Sequence, residues 1–270
     1  MSAVTPTLRA YVEGIGLRGP GLPDWPAAAA VLSGLQSWQP APTVLPVLQC
    51  LPSAERRRTG APVKLALGVG LEATAAAGAD PAALPAVFSS SGGDGQNCHE
   101  ICEVLASAER QVSPTRFHNS VHNAAAGYWG IATGATRASN ALCGFDASFG
   151  AGLLEALTQV VVDNTRVLLV AYEVSYPQPM RAVRPIPDSF AIALVLAPLR
   201  TAAALAVLDA QLCAAPPNRM SDPRLERLRA EIPAARSLPL LAQLAARAAG
   251  RVTLDYLPPH TLAVELDPCR

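Results

Sequence analysis

The sequence has no charge imbalance, few charges of either sign, and no apolar run long enough to cross a bilayer. Lys plus Arg equals Asp plus Glu at 21 each, and charged residues make up only 16% of the 270. Such a balance lacks the electrostatic footprint of a nucleic-acid binder or of a protein drawn to anionic lipid, so neither partner is expected. The longest apolar stretches, such as FAIALVLAPL, break at Pro198 and Arg200 well short of a membrane span. The first residues, MSAVTPTLRAYVEGIG, show no basic start followed by a continuous apolar segment. A soluble, cytoplasmic protein is expected. What the chain does have is core material: 50% of its residues are hydrophobic, enough for a large globular interior.

Cysteine is present but unpatterned. Cys50, Cys98, Cys102, Cys143, Cys213 and Cys269 are scattered through a long chain, so buried free thiols in a reducing compartment are expected rather than a disulfide framework. Cys98 and Cys102, followed after fifteen residues by His118 and His122, come close to zinc-ligand spacing. The cysteines fall on a predicted helix, however, and no small zinc-fold pattern surrounds them. The expectation is a buried thiol pair on one helix face, two polar loop histidines, and no metal or other cofactor.

Helical and strand periods alternate along the chain. TLRAYVEGIGL reads as a strand, then DWPAAAAVLSGL as a helix with Asp24 as cap and Pro26 in its first turn. After a proline-rich connector, APVKLALGVGLEATAAAG is a helix that starts near Pro62 and ends at Gly78, apolar nearly all round and hence buried. LPAVFSSSG is a short strand opening into a glycine-rich loop. NCHEICEVLASAER and HNSVHNAAAGYWGIATG are helices, RASNALCGF a strand, GLLEALTQVVVD a helix, and TRVLLVAYEV a strand apolar enough to be buried on both faces. SFAIALVLA and AALAVLDAQL are two further strands. The pattern predicts an α/β layered domain, helices covering a mixed sheet, over residues 1–211. Residues 212–270 predict two helices and the short strands RVTLDY and TLAVEL, an extension too short to stand alone that packs on the first part.

The stretch DASFGAGLLEAL (146–157) reads as a tight turn running into an apolar helix, an arrangement that aims helix N-terminal amides at whatever the turn presents. Ala147, Gly150, Ala151 and Gly152 allow close backbone approach, yet the residue at the centre is Phe149. Ser148 is the remaining nucleophile candidate. A hydrolase elbow needs G-x-S-x-G, and Asp146 stands where the first glycine belongs. Helix capping by Asp146 or Ser148 is the alternative role. An acyltransferase or hydrolase using Ser148 with His118 or His122 as base is therefore the minority reading.

The ordered set VKLALGVGLEATAAAG, AVFSSSGG, VSPTRFHNSVHNAAAGYW, GFDASFGAGLLEAL and VLLVAYEVSYP resembles the N-terminal half of β-ketoacyl synthases. More narrowly it resembles the chain-length-factor-like proteins that accompany the ketoacyl synthase of aryl polyene pigment pathways. The resemblance covers about the first three quarters of the chain and implies a thiolase-like condensing-enzyme fold. Matching the family's Thr-Ala-Cys-Ala-Ser-Gly motif through Gly152 places Phe149 at the position of the nucleophilic cysteine, and leaves Cys143 upstream as a small core residue. The family's two C-terminal histidine motifs have no counterpart; His260, in LPPHTL, reads as a surface residue.

The resemblance thus implies an inactive partner that forms a heterodimer with an active β-ketoacyl synthase and shapes its acyl tunnel, with acyl carrier protein reaching it through the complex. Implied interface and tunnel residues are Phe117, His118, Asn119, His122, Asn123, Tyr128 and Trp129 on the wall. Asn140, Cys143 and Phe145 on the strand and Phe149 in the turn complete the set. Phe117, Tyr128 and Trp129 are the aromatic anchors of that reading; packing inside the domain is the competing role for them.

Overall fold

The structure, a computed structural model, describes residues 7–269; residues 1–6, at the start of the stretch read for a leader, lie outside it. β1 (Leu8–Arg18) leads through an Asp24-capped turn into α1 (Trp25–Leu32), where the Asp24 carboxylate accepts the Ala27 amide as the sequence predicts. An extended connector carries the chain to α2 (Ser53–Arg58) and α3 (Ala61–Ala76). Then come β2 (Ala86–Ser89), α4 (Gly95–Ala106), α5 (Pro114–His118), α6 (Ala124–Thr133), β3 (Ser139–Leu142) and α7 (Ser148–Val162). β4 (Val167–Glu173), α8 (Met180–Val183), β5 (Phe190–Ala197), β6 (Ala206–Cys213), α9 (Pro223–Glu231), α10 (Leu238–Ala246), β7 (Gly250–Asp255) and β8 (Thr261–Pro268) complete it.

The eight strands form one sheet in the order β3-β2-β4-β5-β1-β6-β8-β7. β2 runs parallel to both β3 and β4, and every other pairing is antiparallel. β4 and β5 are buried along their whole length, which is why their sequences are continuous apolar runs rather than alternating ones. Successive residues still point to opposite faces. Leu168, Val170 and Tyr172 join the layer that holds α3 and α6, with Leu65, Leu67, Tyr128 and Trp129. Val167, Leu169 and Ala171 join the other, with Phe149, Leu153 and Leu157 of α7 and Leu238, Leu240 and Leu241 of α10.

Three expectations are modified. The single helix read over HNSVHNAAAGYWGIATG, which begins at the last residue of α5, forms only from Ala124 as α6, because Asn119 and Ser120 in the intervening turn commit their side chains to backbone carbonyls. Asn119 Nδ2 donates to the Arg58 carbonyl, and Ser120 Oγ to that of Phe117. The boundary read at 211/212 falls inside β6, and β8 pairs with β6 from end to end, so the C-terminal residues continue the same sheet. The thiols are not buried: Cys50, Cys98, Cys102 and Cys143 are exposed and Cys213 and Cys269 half-buried. The face that α4 turns inward carries Gly95 and Asn97 instead.

The expectation that no apolar run reaches a bilayer span is corrected: the segment Phe145–Val162 is long and apolar enough by length and composition, but half of it is buried inside this fold, with α7 packed on β4, β2 and β1.

Candidate functional site

The carboxyl ends of the three parallel strands lie side by side, the place where open α/β sheets gather functional loops. The loop after β2 supplies Ser90 and Ser91, the turn after β3 runs from Cys143 to Ala147 into α7, and β4 ends on Glu173. The turn is tightly built. Phe145 adopts φ +52°, a conformation costly for a bulky residue. Ser148 Oγ donates to the Phe145 carbonyl at 2.6 Å and accepts the Gly144 amide at 3.1 Å. Small residues make the rest possible: a Cβ on Gly150 would collide with the carbonyl oxygen of Asp255, and one on Gly152 would lie 2.8 Å from the Ser89 Cβ.

Phe149 is the second residue of α7 and is 1% exposed, its ring held in the apolar layer between that helix and the sheet. The position at the head of the helix, where a thiol or hydroxyl would be presented to substrate, is filled by hydrocarbon. Ser148, also 1% exposed, is occupied as a brace of the turn. Neither histidine is bonded to it among the described residues: His122 Nε2 lies 3.0 Å from the Ser90 carbonyl, and His118 meets Tyr128 edge to face at 6.1 Å. The serine-nucleophile reading therefore lacks its base. Asp146 does not cap α7; its carboxylate is gripped by Arg184 at 2.8 Å and Arg236 at 3.1 Å.

That grip is the start of a charge ladder. Arg236 reaches on to Asp255 at 2.8 Å, Asp255 to Arg229 at 2.7 Å, and Arg229 to Glu226 at 2.8 Å, so the C-terminal segment is fastened over the turn. The Arg184 guanidinium also lies 3.9 Å above the exposed Phe145 ring, a cation–π contact. Beneath it, Glu173 is buried and receives the Ser91 amide at 2.5 Å and the Ser91 hydroxyl at 2.8 Å. Burial pushes its carboxyl from 4.5 up to about 7, against the pull of the two Ser91 bonds and of Arg184. Cys143, expected in the core, is instead exposed and donates to the Ser91 carbonyl at 3.2 Å, because it follows β3, the edge strand of the sheet.

The residues expected to form an interface separate into two groups. Phe117 (72% exposed), His118, Asn123, Asn140 and Phe145 (61%) face solvent, and His122 is half-buried. Tyr128 and Trp129 are corrected to core residues, 1% and 2% exposed, with Trp129 edge-on to Phe88 of β2 at 6.4 Å. Asn119 is buried as well, accepting the Tyr128 hydroxyl. Cys98, Cys102, His118 and His122 are not assembled: no group of three or more His, Cys, Asp or Glu side chains suited to a metal occurs among the described residues. Sequence reading missed Glu173, Arg184, Arg236 and Asp255. Only Glu173 carried a signal, as a lone carboxylate closing an otherwise apolar strand.

Comparison with known proteins places this geometry. None of the curated proteins matches the chain. Among solved structures, a chain of the complex between the ketosynthase ApeO and its chain length factor ApeC from Xenorhabdus doucetiae is similar, with TM-score 0.71 at 23% identity over 96% of this chain and 99% of that one. The ishigamide ketosynthase/chain length factor gives 0.68 at 14% identity, covering 97% and 99%. The AntDE:AntF complex, a type II polyketide acyl-carrier protein with its hexaketide-bound ketosynthase, gives 0.76 at 12% over 98% and 100%. These likenesses establish the fold as the thiolase-like one of ketosynthases. The profile of the beta-ketoacyl synthase N-terminal domain matches residues 28–252, most of the chain, and the chain belongs to that family.

Proposed function

We propose that this chain is a catalytically inactive, chain-length-factor-like partner of an active β-ketoacyl synthase, pairing with it as a heterodimer and shaping its acyl tunnel in cytoplasmic polyketide-type assembly of an aryl polyene. The observation that carries the reading is Phe149: the head of α7, where the family presents its cysteine, is a buried phenyl ring that cannot take an acyl group. The C-terminal part adds support, since its single histidine, His260, is exposed in the turn between β7 and β8. The edge strand β3 supports pairing. Its four residues are exposed or half-buried, its far side has no strand partner among the described residues, and an uncovered edge invites another strand. Phe117, Val121 and Phe145 add exposed apolar surface of the kind that anchors an interface. Three of the similar structures are of ketosynthases with chain length factors or with an acyl-carrier protein, which is what a partner of this class would resemble.

Co-expression with the cognate synthase and a pull-down tests the pairing; a one-to-one complex is expected, and a well-behaved monomer with no affinity for the synthase overturns it. Incubation with acyl carrier protein bearing a labelled acyl group tests the inactivity. The mass of this chain should not change, and a stable adduct on Ser148 or Cys143 would restore the enzyme reading.

A further inference from the structure

Cys98 and Cys102 are one helical turn apart on α4, and both are exposed. Residues four apart on a helix share a face, with Cβ atoms about 5–6 Å apart. Burial, followed by the neighbouring Cys102, raises the Cys98 thiol above its ordinary value. The two thiols lie on one face of α4 and are open to solvent. His99 and Glu103 occupy the adjacent stripe of α4 and pair with each other at 3.3 Å, so neither is held toward the sulfurs. Among the described residues there is no third ligand to make a tetrahedral metal set.

This geometry favours a bridging atom over a direct bond. A disulfide needs Cβ atoms about 3.5–4.5 Å apart, closer than an intact helical turn brings these two. An atom that accepts one sulfur on each side spans the gap without unwinding α4. We propose that Cys98 and Cys102 form a two-sulfur binding site for a thiophilic centre of the trivalent arsenic type. With an arsenoxide, R–As=O, two As–S bonds form, the As=O bond breaks, and both thiol protons leave on the oxygen as one water. No atom changes oxidation state, so no external oxidant or reductant is required.

Phenylarsine oxide is the probe, read by intact mass on the full chain. One adduct should be retained in excess 2-mercaptoethanol and removed by 1,2-ethanedithiol, since only a second dithiol competes with chelation. It should be lost in Cys98→Ser and in Cys102→Ser and kept in Cys143→Ser; circular dichroism of the serine variants confirms that they fold. Absence of a monothiol-resistant adduct, or its survival in both single variants, overturns the proposal. A diamide-treated sample supplies the second measurement: the Cys98–Cys102 pair should remain free of an internal disulfide while the helix is intact, and formation of that disulfide in the native protein overturns the bridging argument.

Discussion

Replacing Phe149 by alanine separates the filled site from an empty one. A buried aromatic side chain withdraws roughly 150–250 Å² from water, which at about 25 cal/mol per Å² corresponds to about 4–6 kcal/mol of gross stabilisation. Alanine keeps the Cβ, and the surroundings collapse only in part, so the net loss should be about 3–5 kcal/mol. The upper half of that range is expected here. Phe149 is 1% exposed, and its helix is held from beneath by β4 and from above by the C-terminal segment, which limits collapse. Urea unfolding followed by far-UV circular dichroism measures the loss as a shift of midpoint at unchanged slope. A loss under about 1 kcal/mol, the size of an ordinary surface change, would show that the ring is not a structural plug. The companion variant Phe149→Cys tests chemistry: it should create a thiol that electrophiles modify but that condenses nothing, because no histidine pair stands behind it. A functional condensing site in that variant would refute the inactive-partner reading outright.

Other expectations use the same protein. Phe117→Asp should leave unfolding within about 0.5 kcal/mol while abolishing the pull-down with the synthase, whereas Trp129→Ala should cost about 3–5 kcal/mol; equal effects of the two on complex formation at matched stability would contradict the division into surface and core. Gly150→Ala should destabilise by driving a methyl into the Asp255 carbonyl, while Gly127→Ala, with open space at its Cβ, should stabilise by roughly 0.5–1 kcal/mol; thermal melting of both decides it. Glu173 gives a pH signature. Its folded carboxyl lies near 7 against an ordinary 4.5, so it favours folding fully below 4.5, and that contribution is lost as pH rises through about 7. The urea midpoint should therefore fall between pH 5 and pH 8 by more in the wild type than in Glu173→Gln, and identical pH profiles would refute the assignment.

Local pattern determined the elements. The continuous apolar runs that became β4 and β5, the Asp24 cap and Pro26 of α1, and the apolar α3, closed by Gly78 just beyond its cap, were legible because each is fixed by neighbours in sequence. So was the turn at 146–152, where Gly150 and Gly152 mark close backbone approach. Even the two C-terminal strands were visible in the sequence, but not that β8 would join β6 and extend a single sheet, since strand pairing depends on partners distant in the chain, from Cys213 with Thr261 to Ala206 with Pro268. Burial of individual aromatics was equally out of reach. Phe117, Tyr128 and Trp129 look alike in sequence, and only the split between α5 and α6 turns the latter two inward and leaves the first outside. The ladder from Asp146 through Arg236 and Asp255 to Arg229 joins residues as far as 109 positions from its start, with no spacing to announce it. Likewise, the exposure of Cys143 and the carboxyl of Glu173 near 7 arise from an uncovered sheet edge and a buried strand end. Those are properties of the assembled sheet, because desolvation is set by everything packed around a group and not by the residues beside it in the chain.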